Sequence, residues 1–353
     1  MIPDASVRAF GNDHRFSGEL TMRKQAYDAA LWILRLSGLM KREADRSRGR
    51  ATILAYHGVT ERPLGELDSP VLHLPLAVFR RHMALLADRF HVVPLMQLVR
   101  LIRAGEAIPP RTVVITFDDG YRNNITCALP VLRQLGLTAC LFFTAGLVGT
   151  QEILWPDVIR RALRLLPLPF SAPLDGETVT VDASNVRAIT RRLKQLPSEV
   201  REGFVAAVRD QLPRDLAPGE SAIASAEEVR IWHQAGMEVG SHSLTHPILS
   251  RLSGEALERE LFESKRILEG IVGEPVRLLA YPNGRRADYS PAVLEVAERA
   301  GYEAAVTTLE DQVRAECPLL ELPRHMPDES VLRVEAMASG WEARVQAAFR
   351  RGA

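Results

Sequence analysis

The chain has 353 residues, 46% of them apolar and 25% charged, which excludes disordered and fibrous classes and leaves a soluble globular protein with one large core or two moderate ones. Lys plus Arg and Asp plus Glu both total 44, so no global field draws nucleic acid or an anionic surface to it. Any partner is chosen locally, and nucleic acid is not expected.

Met1 to Met22 is polar, so no secretory signal is expected, and the first apolar run, "AALWILRLSGLM" (29–40), is interrupted by Arg35 and too short to span a bilayer. Cys127, Cys140 and Cys317 lack C-x-x-C spacing and lie in apolar segments, which suits buried thiols in a reducing compartment. A cytoplasmic location is the expectation. The basic stretch "KREADRSRGR" after the apolar run would let residues 24–50 lie on the inner face of an anionic membrane, unless this helix packs on the body of the fold or on a partner subunit.

From about residue 51 short apolar runs alternate with amphipathic stretches of helical period. The predicted strands are "ATILAYH", "HVV", "TVVITFD", "TACLFF", "MEVGSH", "RLLAYP" and "EAAVTT"; the predicted helices lie at 75–89, 94–104, 124–135, 225–235, 253–270 and 291–300. Ser225 with Glu228 forms a capping box, and Ser290-Pro291 with Gly301 marks another helix start and stop. The alternation predicts an α/β fold of parallel strands with functional groups at the strands' C-terminal ends. Residues 150–222 break the rhythm with "ILWPDVIRRALRLLPLPF", a hairpin-like "APLDGETVTVD" and an Arg-rich helix, and are expected to be an insertion that either covers the site or only pads the scaffold, with solvated decoration the favoured reading. The expected division is an N-terminal helical extension (1–50), the body (51–330) with that insertion, and a C-terminal helical tail (331–353).

Three polar clusters fall at predicted strand ends: Asp118-Asp119, His242 to His246, and Tyr281 to Gly284. In "VVITFDDGYRN" an apolar run stops on two adjacent carboxylates, which are costly to bury together unless something positive lies between them. Neighbouring strand residues point to opposite faces, so Asp118 and Asp119 can share a site only where the backbone bends, which Gly120 permits. In "GSHSLTHPILS" His242 and His246 are spaced to face one point from a turn of helix. Asp119, His242 and His246 would make a two-histidine, one-carboxylate metal site with open positions, able to supply hydroxide near neutral pH, while Asp118 could accept a proton. Zinc is the first expectation, and cobalt, nickel, manganese and iron suit the same donors. Trp155 and Trp232 could serve as stacking platforms for a ligand but read as core residues.

"TFDDG", "SHSLTHP" and "AYPNG", in this order over residues 50–325, resemble the NodB-homology polysaccharide deacetylases, carbohydrate esterase family four. "ILAYHGV" and "ELPRH" resemble its circularly permuted subgroup. The resemblance implies a distorted (β/α) barrel of seven or eight strands and metal-dependent removal of N-acetyl groups from amino sugars of a polysaccharide or its lipid-linked precursor. It implies Asp118 as general base, Asp119, His242 and His246 as metal ligands, and His57 as general acid, with His325 the rival. The arginine of the family's third motif is replaced by Ala280, so Arg324 or Arg277 would orient Asp118. Tyr281 and Pro282 would wall the sugar site, and the Tyr121 N–H would hold the oxyanion.

"VVITFDD" also looks like a Walker B strand, but none of Lys24, Lys41, Lys194 and Lys265 follows a glycine, so no phosphate loop accompanies it. An oxygenase would share the ligands but not need the second carboxylate. Hydrolysis of a non-sugar amide is the nearest alternative; an inactive barrel is disfavoured because ligands and base are all present.

Overall fold

Six of the apolar runs become parallel strands because each is short, bounded by turn residues and buried on both faces, the longest of them rich in β-branched residues. They are β1 (Arg50–Tyr56), β2 (Thr112–Phe117), β3 (Cys140–Phe143), β4 (Glu238–Ser241), β5 (Leu278–Ala280) and β6 (Ala304–Val306), hydrogen-bonded in that order. The structure is a computed structural model that describes residues 13–62, 72–213, 217–342 and 344–345, with side chains from residue 25 onward. The predicted run "HVV" forms only the short strand His91–Val92 beside β2.

Residues 322–325 join the sheet's two edges. On one side Leu322 donates to the Ala305 carbonyl (2.9 Å) and accepts from the Thr307 N–H (2.8 Å); on the other His325 donates to Ile53 (2.9 Å) and accepts from Ala55 (2.8 Å). The sheet therefore closes through a seventh, irregular stave, giving the distorted (β/α) barrel that was expected.

In chain order the helices are α1 (Asp13–Leu36), α2 (Leu39–Asp45), α3 (Leu76–Arg89), α4 (Leu95–Arg103), α5 (Leu129–Gln134) and α6 (Trp155–Leu165). They continue with α7 (Val186–Leu193), α8 (Ser198–Arg209), α9 (Ala226–Gln234), α10 (Gly254–Val272), α11 (Pro291–Arg299) and α12 (Val331–Ser339). The capping box at the start of α9 forms as the sequence implies, with Ser225 Oγ accepting from the Glu228 N–H and Glu228 Oε2 from the Ser225 N–H.

Strand alternation sorts the core into two faces. Val114, Phe142, Ala280, Val306 and Leu322 cluster in the barrel interior with Leu95 and Leu98 of α4, whose first N–H groups are held by Glu238 at the start of β4. The intervening Ile115, Phe117 and Phe143 pack outward with Phe79, Leu132 and Trp232. Trp232 is fully buried and donates to the Glu238 carbonyl, so it is a core residue. Of the cysteines only Cys140 is fully buried; Cys127 and Cys317 are half-buried, less secluded than their apolar surroundings suggested.

The insertion has a core of its own. The hairpin Phe170–Leu174/Glu177–Val181 packs with Ile159, Leu193, Phe204 and the buried Trp155. Solvated decoration is therefore not a fitting description, and two of its helices reach the barrel mouth, as shown below. At the opposite end of the chain, Leu31, Met40, Leu332 and Ala336 hold α1, α2 and α12 together, while Trp32, Ile33, Leu36 and Leu39 are exposed. Among the described residues no helix is long and apolar enough to cross a membrane. Residues 1–12 of the expected extension and the tail from 346 lie outside the described residues.

Candidate active site

At the end of β2 the chain turns through two successive left-handed residues, Asp119 (φ 74°) and Gly120 (φ 83°). A Cβ on Gly120 would stand 2.8 Å from Phe143 Cδ1 and 3.2 Å from the Phe143 backbone, so space and torsion both demand glycine. The bend lets the two acids diverge yet stay in one site. Asp118 continues the inward parity of Val114 and Thr116, and Asp119 swings toward β4.

There Asp119 Oδ1 lies 3.6 Å from His242 Nε2 and 3.4 Å from His246 Nε2, and one ligand atom from each residue falls within 4.8 Å of the others. The histidines do not sit on a helical turn. They lie on a loop in which Ser243 (φ 64°) and His246 (φ 63°) are left-handed. Glu260 of α10 builds that loop, accepting from the N–H groups of Leu244 and Thr245 and from Thr245 Oγ1, while Ser243 Oγ accepts from the His246 N–H. Glu260 gave no signal in the sequence beyond its place in an amphipathic helix.

The three residues fit a cation. His242 Nδ1 lies 2.8 Å from the Ala280 carbonyl, so Nδ1 carries the proton and Nε2 offers its lone pair to the site. Burial lowers the pKa of both imidazoles, that of His246 furthest, with the charge of His242 adding to it, so both rest in the neutral form that binds metal. Burial and then the charges of Asp118 and Asp157 push the Asp119 carboxyl up to about 8. A buried acid opposed by like charges, facing two neutral imidazoles, calls for a positive partner.

Asp118 has found its own. Arg324 Nη1 and Nη2 donate to its two oxygens, both at 2.7 Å, and the guanidinium also reaches Thr116 Oγ1 (3.1 Å) and the Thr307 carbonyl (2.9 Å). Burial alone would raise the Asp118 pKa, but Arg324 outweighs it and holds the carboxyl well below the usual carboxylate range. Arg324, not Arg277, is thus the orienting arginine: Arg277 pairs with Glu303 at the surface. The two orienting candidates sit on opposite sides of the barrel wall, and only the seventh stave brings its arginine inside, where Ala280 also faces.

His57, just past β1, is held neutral by burial, with a pKa of about 4, and the charges of Asp118, Arg324 and His242 act on its ring. His325 follows the inward Arg324 and so faces outward, where the charges of Glu310, Glu342 and Asp311 act on its ring. That removes it as the rival acid. Tyr281 does not wall the site either: its side chain is buried outside the barrel, stacked on Tyr289 at 4.7 Å with its hydroxyl on the Leu320 carbonyl. Pro282, one residue on, is buried at the barrel mouth and accepts from the Gly284 N–H. The strand bonds around Tyr121 run from the Arg122 N–H and to the Gly120 carbonyl, leaving the Tyr121 N–H unused among the described residues. The Tyr121 hydroxyl donates to Asp157 of α6 (2.9 Å), itself paired with Arg160, a link that sequence reading missed because the insertion was set aside.

Comparison with known proteins agrees with this geometry. A family model for polysaccharide deacetylase matches residues 105–165 and 210–305. YxkH of Bacillus subtilis (strain 168), which bears a polysaccharide deacetylase name, is 21% identical over 288 residues, 81% of this chain and 71% of that protein. Among solved structures, the Streptococcus pyogenes deacetylase PplD in complex with acetate superposes with a TM-score of 0.55 at 20% identity, covering 80% of this chain and 93% of that one. IcaB from Ammonifex degensii gives 0.54 at 17% identity, covering 82% and 97%. The family match takes in both aspartates, both histidines and the turn after β5, so the chain carries a polysaccharide deacetylase domain, the domain of a group of hydrolases.

Proposed function

We propose that this deacetylase is metal-dependent and removes N-acetyl groups from amino sugars of a polysaccharide, an oligosaccharide or a lipid-linked precursor. The observation that carries the reading is the meeting of Asp119, His242 and His246 beside a second carboxylate, Asp118, clamped by a buried arginine. Those three residues would hold a divalent cation, zinc first by donor type, which when bound supplies Lewis acidity and a water whose pKa falls to about 7.

The chain's own residues carry the protons. Asp118, ionised and fixed by two hydrogen bonds, accepts the proton of the attacking water, and the Tyr121 N–H points its dipole at the oxygen where negative charge develops on the acetamide. Resting neutral, His57 must acquire its proton within the catalytic cycle; Asp118, whose charge acts on its ring, is the source, and the departing amine is the recipient. The use of Arg324 from the last barrel segment, where Ala280 leaves no arginine in the third motif, supports the permuted arrangement. A non-sugar amide would be cut by the same groups, so substrate decides between the two readings. Incubation of the zinc-loaded protein with acetylated chitooligosaccharides, peptidoglycan fragments and exopolysaccharide precursors should release acetate from at least one, read by mass spectrometry. Release only from a small cyclic or linear amide would reject the sugar reading.

A second reading concerns location. Trp32, Ile33 and Leu36 are 51%, 66% and 80% exposed on α1, and Lys41, Arg42, Arg46 and Arg48 follow. An interfacial tryptophan with aliphatic neighbours and a basic flank suits the surface of an anionic bilayer. Vesicles containing phosphatidylserine should sediment the protein and pure phosphatidylcholine vesicles should not; equal sedimentation by neither would dismiss this contact.

A further inference from the structure

The family match stops at residue 165 and resumes at 210, so most of the insertion lies outside it. Its attachments place it across the barrel mouth. On one side Asp157 of α6 takes the Tyr121 hydroxyl next to Asp119, and Ile223 pairs with Tyr121. On the other, Lys194 at the end of α7 donates from Nζ to Asn283 Oδ1 (2.7 Å) in the turn after β5. β4, with the two histidines beyond its end, lies between these anchor points. The insertion is thus a roof over the site.

The roof's charges are uneven. Arg160 is neutralised by Asp157. Among the described residues the Lys194 ammonium bonds only an amide oxygen, which leaves two of its three N–H groups for other use. Arg201 of α8 is 2% exposed, its guanidinium lies 5.4 Å over the Trp155 ring, and its buried Nε has no partner among the described residues. Its terminal nitrogen makes a long contact with Ser198 Oγ (3.4 Å) and a longer one with the mostly exposed Glu202 (3.7 Å). Lys194 is tied to the turn after β5, the strand whose Ala280 carbonyl holds His242, and Arg201 lies over Trp155, two residues before the Asp157 that takes the Tyr121 hydroxyl, so the two cations sit on the roof's two anchors to the site; the charge of each acts on His246. A buried guanidinium with an unused donor is costly unless an anion completes it.

We propose that Lys194 and Arg201 form a cationic subsite that binds an anionic group of the substrate, a carboxylate or a phosphate, beside the acetamide to be hydrolysed. This rests on the deacetylase reading for the placement of the acetamide, but the subsite itself can be read by binding alone. Zinc-loaded Asp118→Asn protein would be titrated calorimetrically with three ligands: neutral chitin tetrasaccharide, hyaluronan tetrasaccharide with its carboxylates, and UDP-N-acetylglucosamine with its diphosphate. At least one anionic ligand should bind tenfold or more tightly than the neutral one, as charge-assisted hydrogen bonds allow, with the preference weakening as salt is raised. Which anion is preferred separates a uronic carboxylate from a phosphate source.

In Lys194→Met the preference should fall below about threefold, and Lys194→Arg should restore most of it. Arg201→Met, if circular dichroism shows the fold kept, should behave like Lys194→Met; if it does not fold, the Lys194 pair decides. Equal binding of all three ligands, or a Lys194→Met loss shared equally by neutral and anionic ligands, would overturn the subsite. A preserved anionic preference together with no acetate release from any substrate by the unmutated protein would instead overturn the deacetylase reading and leave the subsite standing.

Discussion

Replacing Arg324 by methionine tests the clamp on Asp118. The side chain keeps its reach and apolar stem but loses every donor, so Asp118 is stranded as a buried carboxylate at 4% exposure and the Thr307 carbonyl loses its partner. Breaking a buried ion pair from one side costs about 3–5 kcal/mol, most of it the penalty of the unpaired charge. That is a large fraction of a total stability of about 5–15 kcal/mol. The size of the effect should depend on Asp118 itself. With Asp118→Asn in the same chain no charge is left unpaired, and the double variant should be more stable than Arg324→Met alone, with a coupling of about 2 kcal/mol or more. Urea unfolding of the metal-free proteins at pH 7, followed by the fluorescence of buried Trp232, supplies all four corners of the cycle. Strict additivity, or an Arg324→Met cost under about 1 kcal/mol, would mean that the two groups do not depend on each other as the geometry requires.

Gly120→Ala should cost roughly 1–3 kcal/mol and weaken metal binding, because a left-handed alanine would press on Phe143 and displace Asp119; equilibrium dialysis with zinc and thermal unfolding read the two effects. Tyr281→Phe loses only the bond to the Leu320 carbonyl, so stability should fall by about 0.5–1.5 kcal/mol while KM for an accepted sugar stays within twofold; a KM rise of tenfold would return Tyr281 to the site wall. Burial lowers the His82 pKa from 6.5 to about 4, so the unfolded chain takes up its proton first and stability must decline as pH falls from 6.5 toward 4. At pH 5 this amounts to about 2 kcal/mol, and His82→Phe should remove about that much of the decline in urea titrations at pH 7, 6 and 5, leaving the shares of His57, shifted equally far, and of His73, His242, His246 and His325, shifted in the same direction.

Much of the barrel was legible because its strands are short continuous apolar runs and its helices carry caps: the run 112–117 and the Ser225–Glu228 box stand where the pattern put them. The meeting of Asp119 with His242 and His246 was also readable, since parallel strands deliver their C-terminal ends to one mouth. What periodicity could not give was sidedness at irregular positions. Tyr281 and His325 both follow residues that face inward, and a shift of one residue sends each to the outside. The helical picture of His242 and His246 failed because Glu260 holds the loop in left-handed turns through bonds that span 15 and 16 residues of sequence. The roof escaped for a similar reason: Asp157, Lys194 and Arg201 gain meaning only when the insertion folds back over β4, and nothing local in their helices says where those helices land.

The central claim is that one cation is held jointly by Asp119, His242 and His246 while Asp118 is left to the proton. Zinc-edge anomalous diffraction from zinc-loaded crystals of the unmutated, Asp118→Asn and Asp119→Asn proteins tests it most directly. A single strong peak among those three side chains, kept in Asp118→Asn and lost in Asp119→Asn, is the expected result. A peak elsewhere, or one that survives Asp119→Asn and disappears with Asp118→Asn, would contradict the assignment.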